Sequence, residues 1–126
     1  MKPRNKPESW LQLQVSPKTG LPTGQSFTRA YSHTEGDVHY YASLRTDEGT
    51  VKSYGYCVGY WDKNVLRLFM NSTEESWMGG PSESNGTRYM IINFDDMTSK
   101  TWCIDENNRV SLEDMAVIKV GVDDGP

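Results

Sequence analysis

Cysteine is scarce in this sequence: Cys57 and Cys103 are the only two in 126 residues. Two thiols cannot make a disulfide scaffold, and a chain of this length buries enough surface to hold a core without one. They read as reduced thiols in a cytoplasmic protein. Long apolar runs are also missing. None approaches the roughly 20 residues that a bilayer-spanning helix needs. The basic start Met1-Lys2-Pro3-Arg4-Asn5-Lys6-Pro7 leads into no apolar stretch, so no secretory leader is expected. Collagen-like, coiled-coil and internal-repeat patterns are absent as well.

Catalytic and cofactor signatures are equally thin. There is no Walker loop, no glycine-rich dinucleotide motif after a strand, no HExxH and no CxxC. His33, His39, Cys57 and Cys103 lack the short paired spacings of structural zinc sites, so neither a metal nor a cofactor is expected. Asn71-Ser72-Thr73 and Asn85-Gly86-Thr87 match the glycosylation sequon, a pattern that means little without export. The reading is of a protein with no assigned catalytic residue.

Positive charge is in short supply, and unevenly so. The net charge is −4. Residues 1–60 carry seven Lys/Arg against five acids, whereas residues 61–126 carry six against twelve. Phosphate-binding surfaces normally carry a basic excess, so the balance argues against a whole-surface nucleic-acid binder while leaving room for a local basic face. The acids come in pairs such as Glu74-Glu75, Asp95-Asp96 and Glu113-Asp114. Such pairs are solvated turns in most proteins, and an acidic surface for a basic partner in some.

What the sequence does have is strand signal almost throughout. Leu11, Leu13 and Val15 alternate with Gln12 and Gln14, and Phe27, Arg29 and Tyr31 alternate with Thr28, Ala30 and Ser32. Residues 16–25 read as loop, with two prolines and two glycines. Thr46-Asp47-Glu48-Gly49-Thr50 reads as a three-residue hairpin loop pairing Thr46 with Thr50. That register puts Val38, Tyr40, Ala42, Leu44, Tyr54, Tyr56 and Val58 on one face. A like loop at Trp61–Val65 pairs Tyr60 with Leu66 and Val58 with Leu68, adding Tyr60, Leu66, Leu68 and Met70 to that face as the expected core. Tyr89–Phe94 and Thr101–Ile104 make a further hairpin, pairing Phe94 with Trp102 and Ile92 with Ile104. Ser111 caps at most one short helical turn near 111–115, followed by a closing strand. The expected fold is mainly β: a small single-domain antiparallel barrel or sandwich of about 7–8 strands. Its domain would span 9–122, between a flexible basic arm at 1–8 and an acidic tail at 123–126.

Two candidate surfaces emerge. Residues 71–87 follow neither period, and a structureless connection of that length is commonly functional or disordered. Within it Trp77-Met78 is a large apolar pair beside Glu74 and Glu75. Trp77 either plugs one end of the fold or anchors a protein interface. The second surface is the face away from the apolar stripe, carrying His39, Tyr41, Arg45, Arg67 and Phe69. Cys57 opposite His39 could make a thiolate–imidazolium nucleophile, and His33, Glu35 and His39 with Arg45 could serve a small ribonuclease, but nothing fixes either geometry.

The leading expectation is a non-catalytic inhibitor or adaptor that occludes a protein partner having a basic or apolar-pocket surface, through Glu74, Glu75, Trp77 and Met78. The alternative is a single-stranded nucleic-acid-binding barrel, with Tyr41 and Phe69 stacking bases and Arg45, Arg67 and, from the other side of its strand, Lys52 following phosphates. Carbohydrate binding on Trp and Tyr platforms is a third class. No membrane contact is expected.

Overall fold

A computed structural model describes residues 7–71, 87–105 and 107–120. Eight strands occupy most of them: β1 (Ser9–Val15), β2 (Pro22–Glu35), β3 (Val38–Asp47), β4 (Thr50–Asp62), β5 (Val65–Asn71), β6 (Thr87–Asn93), β7 (Thr98–Ile104) and β8 (Val110–Val120). Each pairs antiparallel with its neighbours in sequence, and β1 pairs with β8 to close a barrel. Closure gives both outermost strands a partner, which removes the exposed edges of an open sheet. The barrel is the expected fold class, and it decides against the sandwich. Among the described residues, no helix is long and apolar enough to cross a membrane.

The barrel's interior holds the core: Trp10, Ala30, Tyr41, Leu66, Leu68, Ile92, Phe94 and Ile118 are all buried. An eight-stranded barrel is only wide enough inside for interlocking side chains or one small ligand. Large residues from some strands must therefore face small ones from others. Gly59 shows the constraint, since a Cβ there would stand 2.7 Å from Leu68 Cδ2 and 2.9 Å from Leu66 Cδ1.

Several local expectations are corrected by the register. The β3–β4 connection is a two-residue turn with Glu48 and Gly49 both at positive φ, 51° and 82°. It pairs Asp47 with Thr50, and a bulge then brings Arg45 opposite Ser53. The bulge restores the parity, so Val38, Tyr40, Ala42, Leu44, Tyr56 and Val58 do share one face. That face points outward. At the next hairpin Lys63 takes the left-handed conformation and Trp61, not Tyr60, pairs with Leu66. This one-residue slip separates Leu66 and Leu68 inside from Val58 and Tyr60 outside.

Between β6 and β7 the chain turns at 94–97, so Asn93 pairs with Thr98 and Tyr89 with Trp102. Phe94 is freed from the sheet and folds back to close one barrel end against Trp10 and Trp61. Residues 111–115, where one helical turn was allowed, are strand with a bulge opposite Thr101 and Trp102. The strand β2 also begins at Pro22, inside the expected loop. The basic arm lies mostly outside the described residues, and the acidic tail wholly so.

The Glu48-Gly49 turn carries a stability prediction. Two-residue hairpin turns with two positive φ values favour Asn-Gly, because a longer side chain such as Glu is strained in the left-handed region. Replacing Glu48 with Asn is expected to stabilise the fold by about 0.5–1 kcal/mol. A rise in the urea midpoint with unchanged slope is the result to look for. A fall would mean that Glu48 makes a contact worth more than the strain.

Candidate functional site

The outer wall of β2, β3 and β4 is unusually apolar for a surface. Cross-strand rows place Tyr31 beside Ala42 and Tyr56, then His33 beside Tyr40 and Val58. Side chains in such rows stand close enough for rings to meet. The His33 ring stacks on Tyr40 at 6.3 Å and Tyr40 stacks on Tyr56 at 5.6 Å. Tyr56 is 59% exposed and Tyr60 62%, and Tyr31, Val38, Leu44 and Val58 are exposed around them. A shorter aromatic file crosses β5, β6 and β7. Phe69, 58% exposed, meets Tyr89 at 4.6 Å, and Tyr89 stacks on Trp102 at 6.0 Å. Arg67 Nη1 donates to the Tyr89 hydroxyl at 2.8 Å, and Lys100 lies in the adjoining row with Ile91.

The lumen holds a second polar arrangement. Successive inward positions of β1 are Trp10, Gln12 and Gln14, so the glutamines, not the leucines that the sequence pattern favoured, face the interior. Trp10 Nε1 and the Tyr41 hydroxyl both donate to Gln12 Oε1, at 3.0 and 3.2 Å. Further along, Arg45 Nη2 donates to Gln14 Oε1 at 3.3 Å and Arg45 Nε to Asp47 Oδ1 at 3.3 Å. Asp114 Oδ2 lies 4.0 Å from Arg45 Nη1. Burial raises the Asp114 pKa, as does the neighbouring Glu113, against hydrogen bonding from Thr101 and the pull of Arg45 and Arg88. Arg88 itself is taken by Glu113, its Nε donating to both carboxylate oxygens at 2.8 and 3.0 Å.

The barrel splits the alternative ligand face. His39, Tyr41 and Arg45 occupy inward positions, while Arg67 and Phe69 point outward. Tyr41 is 1% exposed and cannot stack a base. The physical cause is the one-residue slip at Lys63-Asn64, because a shift of one reverses every side chain of β5 relative to β4. Cys57 pairs with Tyr41, and His39 with Gly59. The His39 ring instead meets Thr34 Oγ1 at 3.0 Å. Burial pushes the Cys57 thiol up to about 12 from its ordinary 9.0, the reverse of an activated nucleophile. His33 and His39 lie on opposite faces of the sheet, which dismantles the two-histidine acid–base pair. Cys57 and Cys103 are both free. Glu74, Glu75, Trp77 and Met78 lie outside the described residues.

Strand alternation picks out the tyrosine stripe but assigns it to the core. Its signal was the hydroxyl: Tyr31, Tyr40, Tyr56 and Tyr60 can each keep a polar tip wet, unlike Leu66 and Leu68. Gln12 and Gln14 gave no comparable signal, because strand alternation alone does not say which face of a barrel is inside. Comparisons with protein-family models, with curated proteins and with solved structures find no match for this chain.

Proposed function

We propose that this chain is a non-catalytic binding protein that works through protein–protein contact, with the outer wall of β2–β4 as its principal surface. The observation that carries the reading is the contiguity of the exposed stripe: Tyr31, Val38, Leu44, Tyr56, Val58 and Tyr60 on three adjacent strands. Soluble proteins seldom leave so many large apolar groups together unless something covers them. Tyrosine suits the task, since it offers wide contact area, few rotatable bonds and a hydroxyl that tolerates water when unbound. The partner would present an apolar or pocketed surface with a basic rim, because this chain is acidic overall. Glu74, Glu75, Trp77 and Met78 would supply a second contact of their own, in an inhibitor or adaptor that occludes its target. A reducing, cytoplasmic setting suits two free thiols.

The test is a Tyr56→Ser/Tyr60→Ser variant. Both side chains are mostly exposed, so the melting temperature should move by no more than a few degrees. Retention of the native-host protein captured by the wild-type chain should weaken by about 2 kcal/mol, roughly thirty-fold. Undiminished capture would remove this wall from the interface.

A second reading has its own observation, the file of Phe69, Tyr89 and Trp102 flanked by Arg67 and Lys100. Aromatic rings beside cations suit single-stranded nucleic acid. Binding of a labelled oligonucleotide that falls steeply with salt and is lost in Phe69→Ala would favour it.

A further inference from the structure

The barrel is not laddered along the whole of every seam. β5 pairs with β6 over its full length, Val65–Asn71, and β3 accompanies β4 from Thr50 to Gly59. Between β4 and β5 the ladder covers only residues 59–62 against 65–68. Both strands run on past its last pair, Gly59 with Leu68, without meeting. Among the described residues, 50–58 has no partner strand on its β5 side. Tyr56 and Val58 on one flank of this seam and Phe69 on the other are all exposed.

The two turns bounding β4 fix which backbone groups are left open. Residues flanking a two-residue hairpin turn aim their N–H and C=O groups at each other, and the direction alternates along an antiparallel strand. Asp62 and Val65 flank such a turn. The backbone groups of Asp62, Tyr60, Val58, Tyr56 and Tyr54 are therefore directed at β5, and those of Gly59, Cys57, Gly55 and Ser53 at β3. The β3–β4 turn agrees from the other end. Thr50 is directed at Asp47, and Lys52, the extra residue of the bulge, shifts the alternation so that Ser53, Gly55 and Cys57 are directed at β3. Tyr54, Tyr56 and Val58 thus hold out N–H and C=O groups where the ladder has stopped. Such a row is a template for another strand.

We propose that the β4 edge at 53–58 takes up an extended segment of a protein partner as an added strand, which rests on the protein-binding function above and gives the partner its form. The flanks set the side chains of that segment. Those on the outer face would lie beside Tyr56 and Val58 and toward Phe69, as cross-strand neighbours do, so alternate residues should be apolar. Those between would turn toward the lumen beside Cys57 and should be small. The edge borders the aromatic wall of β2–β4, so one partner can use both. A second copy of this chain fits less well. The bulge at Lys52 twists one end of the edge and places a lysine there, two devices that keep like edges from pairing. A second barrel would also have to come alongside, whereas a single segment needs only its own width.

The experiment reads amide NMR signals and hydrogen exchange on the whole chain. Its probe is a blocked octapeptide with Lys at each end and Val and Thr alternating between. In the free chain the Tyr54, Tyr56 and Val58 amides should exchange roughly ten-fold or more faster than the Gly55 and Cys57 amides, which are bonded to β3. The probe should shift the three edge amides saturably and slow their exchange at least ten-fold. An analogue N-methylated at its central amides keeps every side chain but cannot donate, and it should bind at least ten-fold more weakly. Edge amides already protected in the free chain, absence of a saturable shift, or equal binding of the N-methylated analogue would each overturn the site. Tyr56→Ser/Tyr60→Ser leaves the backbone edge in place, so the probe should still shift the edge amides. Probe binding together with undiminished partner capture by that variant would keep the edge and remove the wall. Lost capture with no probe binding to the wild-type chain would keep the wall and remove the edge.

Discussion

Replacing Trp10 with alanine is expected to lower stability by about 3–5 kcal/mol, the range for truncating a large buried aromatic. The indole is 2% exposed and sits edge-on to Phe94 at 5.1 Å with an interplanar angle of 84°. It also tilts against Tyr41 at 6.0 Å. Its loss would leave a void where β1 closes onto β2 and β8, and would take one of two donors from Gln12 Oε1. At this chain length 1 kcal/mol moves the melting midpoint by roughly 4 °C, so a fall of more than ten degrees should be seen. Trp10→Phe keeps most of the ring contact and loses the N–H, so it should cost only about 1–2 kcal/mol. A melting curve for Trp10→Ala within two or three degrees of wild type would mean that this indole does not close the barrel.

Gly59→Val is expected to cost roughly 2–3 kcal/mol by overpacking. The cause is space, for Gly59 has no positive φ to explain its identity. The added Cβ would fall inside contact distance of both Leu68 Cδ2 and Leu66 Cδ1, and those leucines are buried with no room to swing aside. Coupling provides the check. Joining Gly59→Ala to Leu68→Val trims the methylene that the new Cβ strikes, and the pair should be less damaging than the two changes added together by 0.5 kcal/mol or more, a coupling of the size seen for residues in contact. Strict additivity in urea unfolding would place Gly59 away from Leu68.

Both changes act on the layer that the sequence pattern identified least well. Leu66 and Leu68 were legible as buried, and Tyr40 and Tyr56 as neighbours, because alternation and a turn between them constrain any hairpin. Their rings do stack, even though Tyr40 pairs with Val58 in the ladder. Phe94 was legible as core but not as a plug, since nothing local says that the chain turns at 94 rather than continuing the strand. Trp10 and Tyr41 were not legible as a buried pair at all. Their contact depends on β1 meeting β2 and β3 around a closed circle.

By itself the sequence determined that this chain is built of antiparallel strands, where most of them run, and which residues of β3 and β4 share a face. Period-2 alternation and glycine-bearing turns are local properties, readable from a few neighbouring residues. Only the tertiary structure decided which face is inside. On β3 and β4 the more hydrophobic stripe lies outside, because a narrow lumen takes Ser43, Cys57 and Gly59 opposite Trp10, Leu66, Leu68 and Phe94. It has no width for a file of tyrosines. The same closure carries Arg45, Gln14 and Asp114 from three separate strands to one end of the lumen. A one-residue difference at Lys63-Asn64 sends Arg67 and Phe69 to the opposite side of the wall. Side-chain volume summed around eight strands settles such choices, and no stretch of sequence shorter than the whole barrel contains that sum.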